Sequence, residues 1–528
     1  MAPLIVALPC QTYAAGNSGT DEETKIIRTA SEMGISITED SPVYGSPAFE
    51  RVPAPSKPQE IPGPSGQQPA PPAGNSMPLG QKWGYLVLAY HAICAGITDS
   101  GFIPWADSAA GFDEISKESL IAAKESRYAP RGAGEDSLLN EEGFIQEMET
   151  LTGSKFNSGG NAEFLINGPA SFAVKDRLMR EAQKSIYIAS YAFYDDVTGN
   201  ETVDILLAKK KEGVDIKVIV DNKMAYIFGG RLLKKMEAAG IEVIRYAETD
   251  RPHDYLHIKM LLVDGNYSVI GGMNYGDVYS HKGNSLKWRD TDVLYTGPAV
   301  IESMKVFAKI WNPRTKGGLR LVTVPENTDI GGGQARISVL YSNPPTLKPV
   351  ILLGMLKGIY GATKRVNIEN AYILAIPALT QAIFDARTRG VEVNILTNSK
   401  ESIDSDGKSM AEAILNSVKL FAAAGANVYL KQGQTLHSKF MTVDGVYCSV
   451  GSYNLHPRSE RYDTEMNIGI IDPSSTARID AAFAGDIAEA NKLDPNAPRQ
   501  GKPSWLDKIV ENFFFAQLLP GRRGLAVP

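Results

Sequence analysis

The chain of 528 residues carries the same motif twice, once at His257 and once at His437. In each copy a lysine follows two residues after the histidine, then an apolar run, an Asp-Gly turn signal and a segment ending in asparagine. Equivalent residues of the two copies are all 180 positions apart: His257 and His437, Lys259 and Lys439, Asp264 and Asp444, Asn274 and Asn454. A constant offset at four positions indicates one structural unit used twice.

Strand and helix signals alternate in the same order before each copy of the motif. Strands are predicted at Ser185–Ala189, Asp215–Val220, Glu242–Tyr246, Arg365–Glu369, Glu392–Leu396 and Asn427–Leu430, and helices at Val203–Gly213, Leu232–Gly240, Leu379–Gly390 and Ala411–Gly425. This alternation predicts an α/β sheet in each half. We therefore expect two α/β domains related by pseudo-two-fold symmetry, with the active site where they meet.

The repeated side chains suit phosphoryl transfer without a metal. One histidine would attack phosphorus while the other protonates the leaving oxygen. The lysines and asparagines would bind the remaining phosphate oxygens. Lys259 precedes the continuously apolar strand Met260–Val263, where a buried ammonium needs an anionic partner or ligand. Asp264 and Asp444 each close a strand at a turn with glycine, which favours a structural role, with a basic group as the expected partner.

Each catalytic histidine also needs an acceptor on its second ring nitrogen to fix the tautomer. Asp290 and Glu465 both lie seven residues before the residue that precedes a proline, so we pair them as the orienting acids. Asp292 competes with Asp290, because Asp290–Asp292 also resembles Asp463–Glu465. We favour Asp290.

These motifs resemble those of the phospholipase D superfamily, the HKD enzymes, and most of all those of bacterial cardiolipin synthases. The segments Trp288–Thr291, Ile368–Tyr372 and Asn454–Ser459 strengthen the resemblance, which covers about residues 160 to 490. It implies two tandem phospholipase D-type domains and a phosphatidyltransferase or phospholipase D that acts on membrane phospholipids through a phosphohistidine, with His257 as nucleophile. The implied location is peripheral, at the inner membrane or on the periplasmic side of a bacterial cell envelope.

The candidate site follows from the motif and the resemblance together. The catalytic set is His257, Lys259, Asp264, His437, Lys439, Asp444, Asp290 and Glu465, and the substrate-binding pair is Asn274 and Asn454. No metal ligand set and no cofactor is expected. The three cysteines have neither disulfide nor metal spacing.

The rest of the chain is divided by composition. We expect a disordered Pro/Gly-rich region at 1–80, an extension with an apolar helix at 81–160, the two domains at 161–330 and 331–500, and an amphipathic tail at 501–528. The first residues fit a degenerate signal peptide, a poor lipobox at Cys10 or a plain disordered terminus, and these stay open. Trp83–Ile97 favours a buried or interfacial helix over a membrane-dipping one. Gly331–Gly333 favours a linker over a phosphate loop.

Three functions compete besides transfer to a lipid hydroxyl. A hydrolase would release phosphatidic acid. An HKD nuclease is disfavoured, because small nucleases of the superfamily usually carry one motif and dimerise, and because a formal net charge of −6 does not favour nucleic acid. A non-catalytic binding protein is disfavoured by the intact residues in both copies.

Overall fold

The computed structural model describes residues 118–247, 255–343, 348–404, 411–456, 459–460 and 463–494. The expected disordered region at 1–80, the apolar segment Trp83–Ile97 and the tail at 501–528 lie outside these residues. None of the helices that the structure describes is both long and apolar enough to cross a membrane.

Within the described residues, fifteen strands form one continuous sheet. In chain order they are β1 (Asn157–Ile166), β2 (Ser185–Ser190), β3 (Asp215–Asp221), β4 (Glu242–Tyr246), β5 (Met260–Val263), β6 (Tyr267–Gly271), β7 (Thr291–Thr296), β8 (Ala335–Ser342), β9 (Arg365–Asn370), β10 (Glu392–Asn398), β11 (Asn427–Lys431), β12 (Lys439–Val443), β13 (Tyr447–Gly451), β14 (Glu465–Ile471) and β15 (Ala490–Lys492). The α/β class predicted from the sequence is confirmed.

From the centre of the sheet outward, seven strands of each half follow the same order, and the second half adds β15 at its edge. The order runs β1-β7-β6-β5-β2-β3-β4 on one side and β8-β14-β13-β12-β9-β10-β11-β15 on the other. The strands β2-β3-β4 and β9-β10-β11 are parallel, whereas their neighbours pair antiparallel. The halves are joined where β1 pairs with β8, at Gly160 with Ala335 and at Asn157 with Ile337. One continuous sheet thus replaces the two expected sheets, and an exact pseudo-two-fold axis stays a prediction.

The four predicted helices are present, and their ends lie within two residues of the prediction, except that the helix predicted from Val203 begins at Val197. Helices lie at Glu142–Thr152, Asn167–Glu181, Val197–Lys211, Gly230–Ala238, Ala299–Trp311, Val350–Gly361, Pro377–Thr388, Ala411–Ala423 and Pro473–Ala488. The start of one helix in each half is fixed by an aspartate. Asp196 accepts the Gly199 N–H at 3.0 Å, and Asp472 accepts the Ser475 N–H at 2.9 Å.

One apolar core contains side chains from both halves. Met260 and Val293 of the first half share it with Phe440 and Ile468 of the second. The halves therefore associate by burying apolar surface against one another. This association brings the ends of β5 and β12, where the two motifs begin, into one region of the molecule.

The described part of the expected N-terminal extension packs on the second half. Phe144 and Met148 belong to the same core as Ile351 and Met355. The buried Lys357 donates to Glu147 at 2.9 Å across this contact. The proposed boundary at residue 160 stays a prediction, and β1 already begins three residues before it.

Candidate active site

Backbone hydrogen bonds between the halves fix both motifs. The His257 N–H donates to the Thr464 carbonyl of the second half at 3.0 Å. In the reciprocal contact, the His437 N–H donates to the Arg289 carbonyl of the first half at 2.7 Å, and the Arg289 N–H donates to the Thr435 carbonyl at 2.8 Å. Each motif is thus held by a segment of the opposite half.

The histidines and lysines of the two motifs act on one another electrostatically. Burial, together with the charges of Lys259 and Lys439, lowers the pKa of His257 well below its ordinary value. Burial and the same two ammonium groups lower the pKa of His437, although Asp290 opposes the shift. The four side chains therefore belong to one buried, cationic site that favours an anion.

The orienting acids cross between the halves. Both carboxylate oxygens of Glu465 lie 3.0 Å from Nδ1 of His257. A carboxylate oxygen of Asp290 lies 2.7 Å from Nδ1 of His437. Ser452 and Ser459 donate to the Glu465 carboxylate at 2.5 and 2.6 Å. An Nδ1–H that donates to a carboxylate leaves Nε2 of each ring as the nitrogen that reacts.

Asp292, the competing acid, lies elsewhere. Its carboxylate pairs with Lys175 at 2.7 Å and accepts the Ser171 hydroxyl at 2.5 Å. It also accepts the Met273 N–H at 3.3 Å, as Asn467 accepts the Tyr453 N–H at 3.2 Å in the second half. Asp292 is therefore the positional counterpart of Asn467, and it anchors a loop.

Both lysines are buried and turn back onto the preceding histidine of their own motif. Lys259 Nζ donates to the His257 carbonyl at 2.7 Å, and Lys439 Nζ donates to the His437 carbonyl. Burial lowers the pKa of Lys259 to about 7 and that of Lys439 to about 8, against the opposing charges of nearby carboxylates. A bound phosphate would restore the charge of both groups.

The two asparagines are buried, but their contacts differ. Asn274 accepts the Ala192 N–H at 3.1 Å and donates to the Tyr279 hydroxyl at 3.0 Å. The side-chain oxygen of Asn454 has no hydrogen-bond partner among the described residues. Asn274 thus holds a loop at the site, and phosphate binding by the pair stays a prediction.

The motif aspartates face away from the reaction. Both have left-handed backbone angles, with φ of 56° at Asp264 and 54° at Asp444. Asp264 accepts the N–H groups of residues 183–185 at 2.7 to 2.8 Å, and Asp444 accepts those of residues 363–365 at 2.8 Å. Backbone donors therefore take the place of the basic group expected from the sequence, and both carboxylates brace a strand start.

Aromatic rings line the site, and sequence reasoning did not assign most of them. The ring centroids of Tyr279 and Trp288 lie 5.2 and 5.3 Å from that of His437. The Tyr191 centroid lies 5.0 Å from that of His257. Trp288 lies two residues before Asp290, and Tyr191 directly follows the end of β2, so their positions gave a signal in the sequence. No local pattern in the sequence points to Tyr279.

A buried cluster of charges behind His437 was also missed. Arg289 donates to Asp486 at 2.7 Å and lies 3.4 Å from Glu369. The same guanidinium donates to the Asp290 carbonyl at 2.8 Å, so it ties the orienting acid to the second half. Burial, opposed by Arg289, raises the pKa of Glu369 to about 8.

The environments of the two orienting acids differ. Burial raises the pKa of Asp290, but His437 and Lys439 outweigh it and hold that pKa below its ordinary value. Burial and the neighbouring Asp463 raise the pKa of Glu465 to about 8. At neutral pH, Asp290 is therefore ionised, whereas Glu465 is largely protonated. The negative charge of Asp290 favours a proton on His437.

A family model described as "Cardiolipin synthase, PLD-like domain" matches residues 176–311 and 355–487, just over half of the chain. The chain belongs to this family of the phospholipase D superfamily. Each matched segment contains one complete motif, from its histidine to its asparagine. The resemblance expected from the sequence is confirmed.

Curated relatives of this phospholipase D family member include the following bacterial proteins. It is 28% identical over 358 residues to cardiolipin synthase A of Pseudomonas syringae, covering 66% of this chain and 73% of that protein. It is 27% identical over 391 residues to cardiolipin synthase 2 of Staphylococcus epidermidis, covering 72% and 79%. A probable cardiolipin synthase of Bacillus subtilis is 26% identical over 366 residues, covering 67% and 72%.

A solved structure shares the fold. The crystal structure of phosphatidylserine synthase from Haemophilus influenzae covers 70% of this chain and 97% of its own, with a TM-score of 0.57 and 16% sequence identity. At this identity the likeness concerns the fold alone.

Proposed function

We propose that the protein is a phosphatidyltransferase that moves a phosphatidyl group from one alcohol to another through a phosphohistidine, with a lipid or glycerol hydroxyl as the main acceptor. The observation that carries the proposal is the crossed pair of His–carboxylate contacts in one buried site. Curated relatives named as cardiolipin synthases support the substrate class.

The first step would break the bond between phosphorus and the head-group oxygen. Nε2 of one histidine donates its electron pair to phosphorus, and the second histidine gives its proton to the departing alkoxide. In the second step the acceptor hydroxyl loses its proton to the second histidine and attacks phosphorus, while the P–N bond breaks. Lys259 and Lys439 offset the charge that develops on the equatorial oxygens.

The two histidines have different roles in this scheme. His257 is the nucleophile, because burial and the nearby ammonium groups hold its pKa well below the ordinary value and keep the imidazole neutral. Burial and Lys439 lower the pKa of His437 as well, but Asp290 opposes that shift, so His437 takes the proton more readily than His257 and acts as the acid and base. This assignment agrees with the role expected from the family resemblance.

The acceptor decides between synthesis and hydrolysis. Residues 191–196, 370–372 and 453–458 follow strand ends, and we expect them to line the acceptor's approach. Of these, Pro457 and Arg458 lie outside the described residues. The rings of Tyr191 and Tyr372 lie at the two histidines, with centroids 5.0 Å from that of His257 and 6.2 Å from that of His437. Aromatic walls suit a glycerolipid and help to exclude water.

The decisive assay incubates the full chain with phosphatidylglycerol, alone and with phosphatidylethanolamine or glycerol, and separates the lipid products. A diphosphatidyl product is expected. Phosphatidic acid as the sole product would make the protein a hydrolase. Intact lipids together with cut DNA or RNA would favour the nuclease instead.

The covalent step has its own test. His257→Asn and His437→Asn should each abolish turnover while the circular dichroism spectrum and melting temperature stay near those of the unchanged protein. Rapid acid-free quenching with labelled lipid, followed by peptide mapping, should place an acid-labile phosphatidyl label on His257. A label on His437 would reverse the two roles.

The reaction should need no metal. Among the described residues, no group of three or more His, Cys, Asp or Glu side chains is arranged to hold a metal ion. The two ammonium groups supply the positive charge instead. Turnover after exhaustive chelation tests this expectation. Activity that vanishes and returns with a divalent ion would mean that the two-histidine scheme is incomplete.

A further inference from the structure

Exposed apolar side chains concentrate at one end of the first half. Over the described residues, six large hydrophobic side chains are exposed, and four of them lie there in three segments: the start of helix Val197–Lys211, the helical segment Ala225–Gly229 and the loop that carries Leu286. These four are Val197, Tyr226, Ile227 and Leu286, with exposed fractions of 45, 89, 59 and 76%. We call them the apolar rim.

Contacts between the three segments make the rim one surface. The rings of Tyr194 and Phe228 lie 4.6 Å apart, which joins the residues before Val197 to the helical segment that carries Tyr226 and Ile227. The third segment approaches Val197 at Gly283, where a Cβ atom would lie 3.7 Å from the valine Cγ2. Leu286 follows three residues later.

The rim borders the catalytic site. Asp221, at the end of β3, accepts the N–H of Lys223 at 3.0 Å and that of Leu256 at 3.1 Å. Lys223 lies three residues before Tyr226 of the rim, and Leu256 directly precedes His257. The rim therefore lies at the same end of β3 as His257.

Charge around the rim favours an anionic surface. Segments 222–236 and 278–288, which carry or flank three of the rim residues, contain six lysines and arginines and no acidic residue. Arg231, Lys235 and Lys282 pair with acidic residues of neighbouring segments, whereas Lys234 and Lys287 make no ion pair among the described residues and stay available to an anionic surface. The segment that follows β10 in the second half, 399–410, contains three acidic residues and two lysines. Its apolar Ile403 is buried.

We propose that the apolar rim docks the protein on an anionic phospholipid bilayer, with Tyr226 and Ile227 entering the interfacial layer. The proposal rests on the proposed function, since a bilayer lipid is the substrate there. Tyrosine suits the boundary between acyl chains and head groups, and neighbouring basic residues add attraction to anionic lipids. The rim thus defines which face of the enzyme meets its substrate.

The test compares a double variant, Tyr226→Ser with Ile227→Ser, with the matched control Leu321→Ser. Leu321 is 65% exposed and lies far from the rim. Its neighbour Arg320 pairs with Asp215 at the start of β3, whereas the rim lies at the other end of that strand, beside Asp221. In co-sedimentation with phosphatidylglycerol–phosphatidylethanolamine vesicles, the double variant should bind about tenfold or more weakly than the unchanged protein. Leu321→Ser should bind like the unchanged protein.

Activity on two forms of one lipid separates docking from chemistry. The double variant should lose turnover on vesicles in proportion to binding, but keep it on short-chain phosphatidylglycerol below its micelle concentration. Vesicle binding and vesicle turnover unchanged in the double variant would overturn the proposal. If the unchanged protein binds vesicles through the rim but transforms no lipid, docking stands and the proposed function fails.

Insertion can be observed directly. Lipids with brominated acyl chains should quench the tryptophan fluorescence of Tyr226→Trp more strongly than that of Leu321→Trp. Each signal is taken relative to the fluorescence of the unchanged protein. Equal quenching would contradict insertion of the rim. A rim that instead joined two copies of the chain would give an oligomer that the double variant dissociates without a change in vesicle binding, and this outcome would also refute docking.

Discussion

Glu465, in the second half of the chain, lies 3.0 Å from Nδ1 of His257 in the first. The reciprocal contact joins Asp290 of the first half to His437 of the second. Neither half therefore holds its own histidine in the reactive tautomer. This exchange explains physically why both motifs are needed in one site, and it makes catalysis depend on the association of the halves.

Removing the charge of an orienting acid should cost activity rather than stability. Asp290→Asn keeps the shape but presents an amide that no longer stabilises the imidazolium form of His437. We expect kcat to fall about 100-fold or more. Steady-state turnover of phosphatidylglycerol measures the effect.

Asp292→Asn is the matched control. This carboxylate pairs with Lys175, and both side chains are buried. Its loss leaves a buried ammonium without a partner, so the melting temperature should fall while kcat per folded molecule changes little. If Asp292→Asn removed activity and Asp290→Asn did not, the assignment of the orienting acids would be wrong.

The contrast between these aspartates shows how far sequence alone could go. The offset of 180 residues located the histidines, lysines and asparagines, because a repeat is visible in the chain itself. The choice between Asp290 and Asp292 depended on spacing to a proline. The structure shows that Asp292 corresponds to Asn467, because Gly271 pairs with Asp292 as Gly451 pairs with Asn467. This pairing of strands is a long-range property that the local sequence does not show.

Other parts of the fold gave no local signal. The helix Val350–Gly361 is apolar on nearly every side and is buried, so it lacks the period of an amphipathic helix. The strand Asn157–Ile166 begins with polar and glycine residues, which hides its strand character. The Arg289–Glu369 contact joins residues that are 80 positions apart, and no spacing rule connects them.

Anion binding to the free site should weaken as the pH rises from 6 to 9. The pKa of Lys259 is about 7 and that of Lys439 about 8, so both ammonium groups lose their protons within this range. Loss of positive charge reduces the attraction for an oxyanion. Titration calorimetry with inorganic phosphate or tungstate at several pH values measures the effect. An affinity independent of pH, after correction for the anion's own ionisation, would contradict it.

Lys259→Met should stabilise the free protein while it abolishes turnover. The lysine is held in a buried site that lowers its pKa from 10.5 to about 7. At pH 7 and below, the folded state carries the cost of the buried charge. Replacement of buried charged side chains by apolar ones raises the free energy of unfolding by about 1 to 4 kcal/mol in favourable cases.

The pH dependence of this effect has a definite sign. Between pH 7 and 10.5 the unfolded lysine is protonated and the folded one is neutral, so unfolding takes up a proton and stability rises with pH. The advantage of Lys259→Met should therefore be largest at neutral pH and shrink toward pH 10. Chemical denaturation at pH 6, 7, 8.5 and 10 measures it. An advantage that grew with pH would refute the buried-ammonium account.

Asp264 and Asp444 should contribute to stability and not to chemistry, although they belong to the motif. Each carboxylate accepts three backbone N–H groups at the start of the neighbouring strand, β2 or β9. Asp264→Ala and Asp444→Ala remove these acceptors and place alanine at a φ near +55°. We expect each to lower the free energy of unfolding by about 2 to 4 kcal/mol.

Asparagine separates the two causes of that loss. Asp264→Asn tolerates the left-handed backbone and keeps one acceptor oxygen, so it should lose less stability than Asp264→Ala. In both variants, kcat per folded molecule should stay within about threefold of the unchanged protein, because the carboxylate touches no reacting atom. Denaturant titration combined with turnover at 15 °C, where all variants stay folded, makes the comparison. A loss of kcat as large as that of Asp290→Asn, without a loss of stability, would give the motif aspartates a part in the reaction.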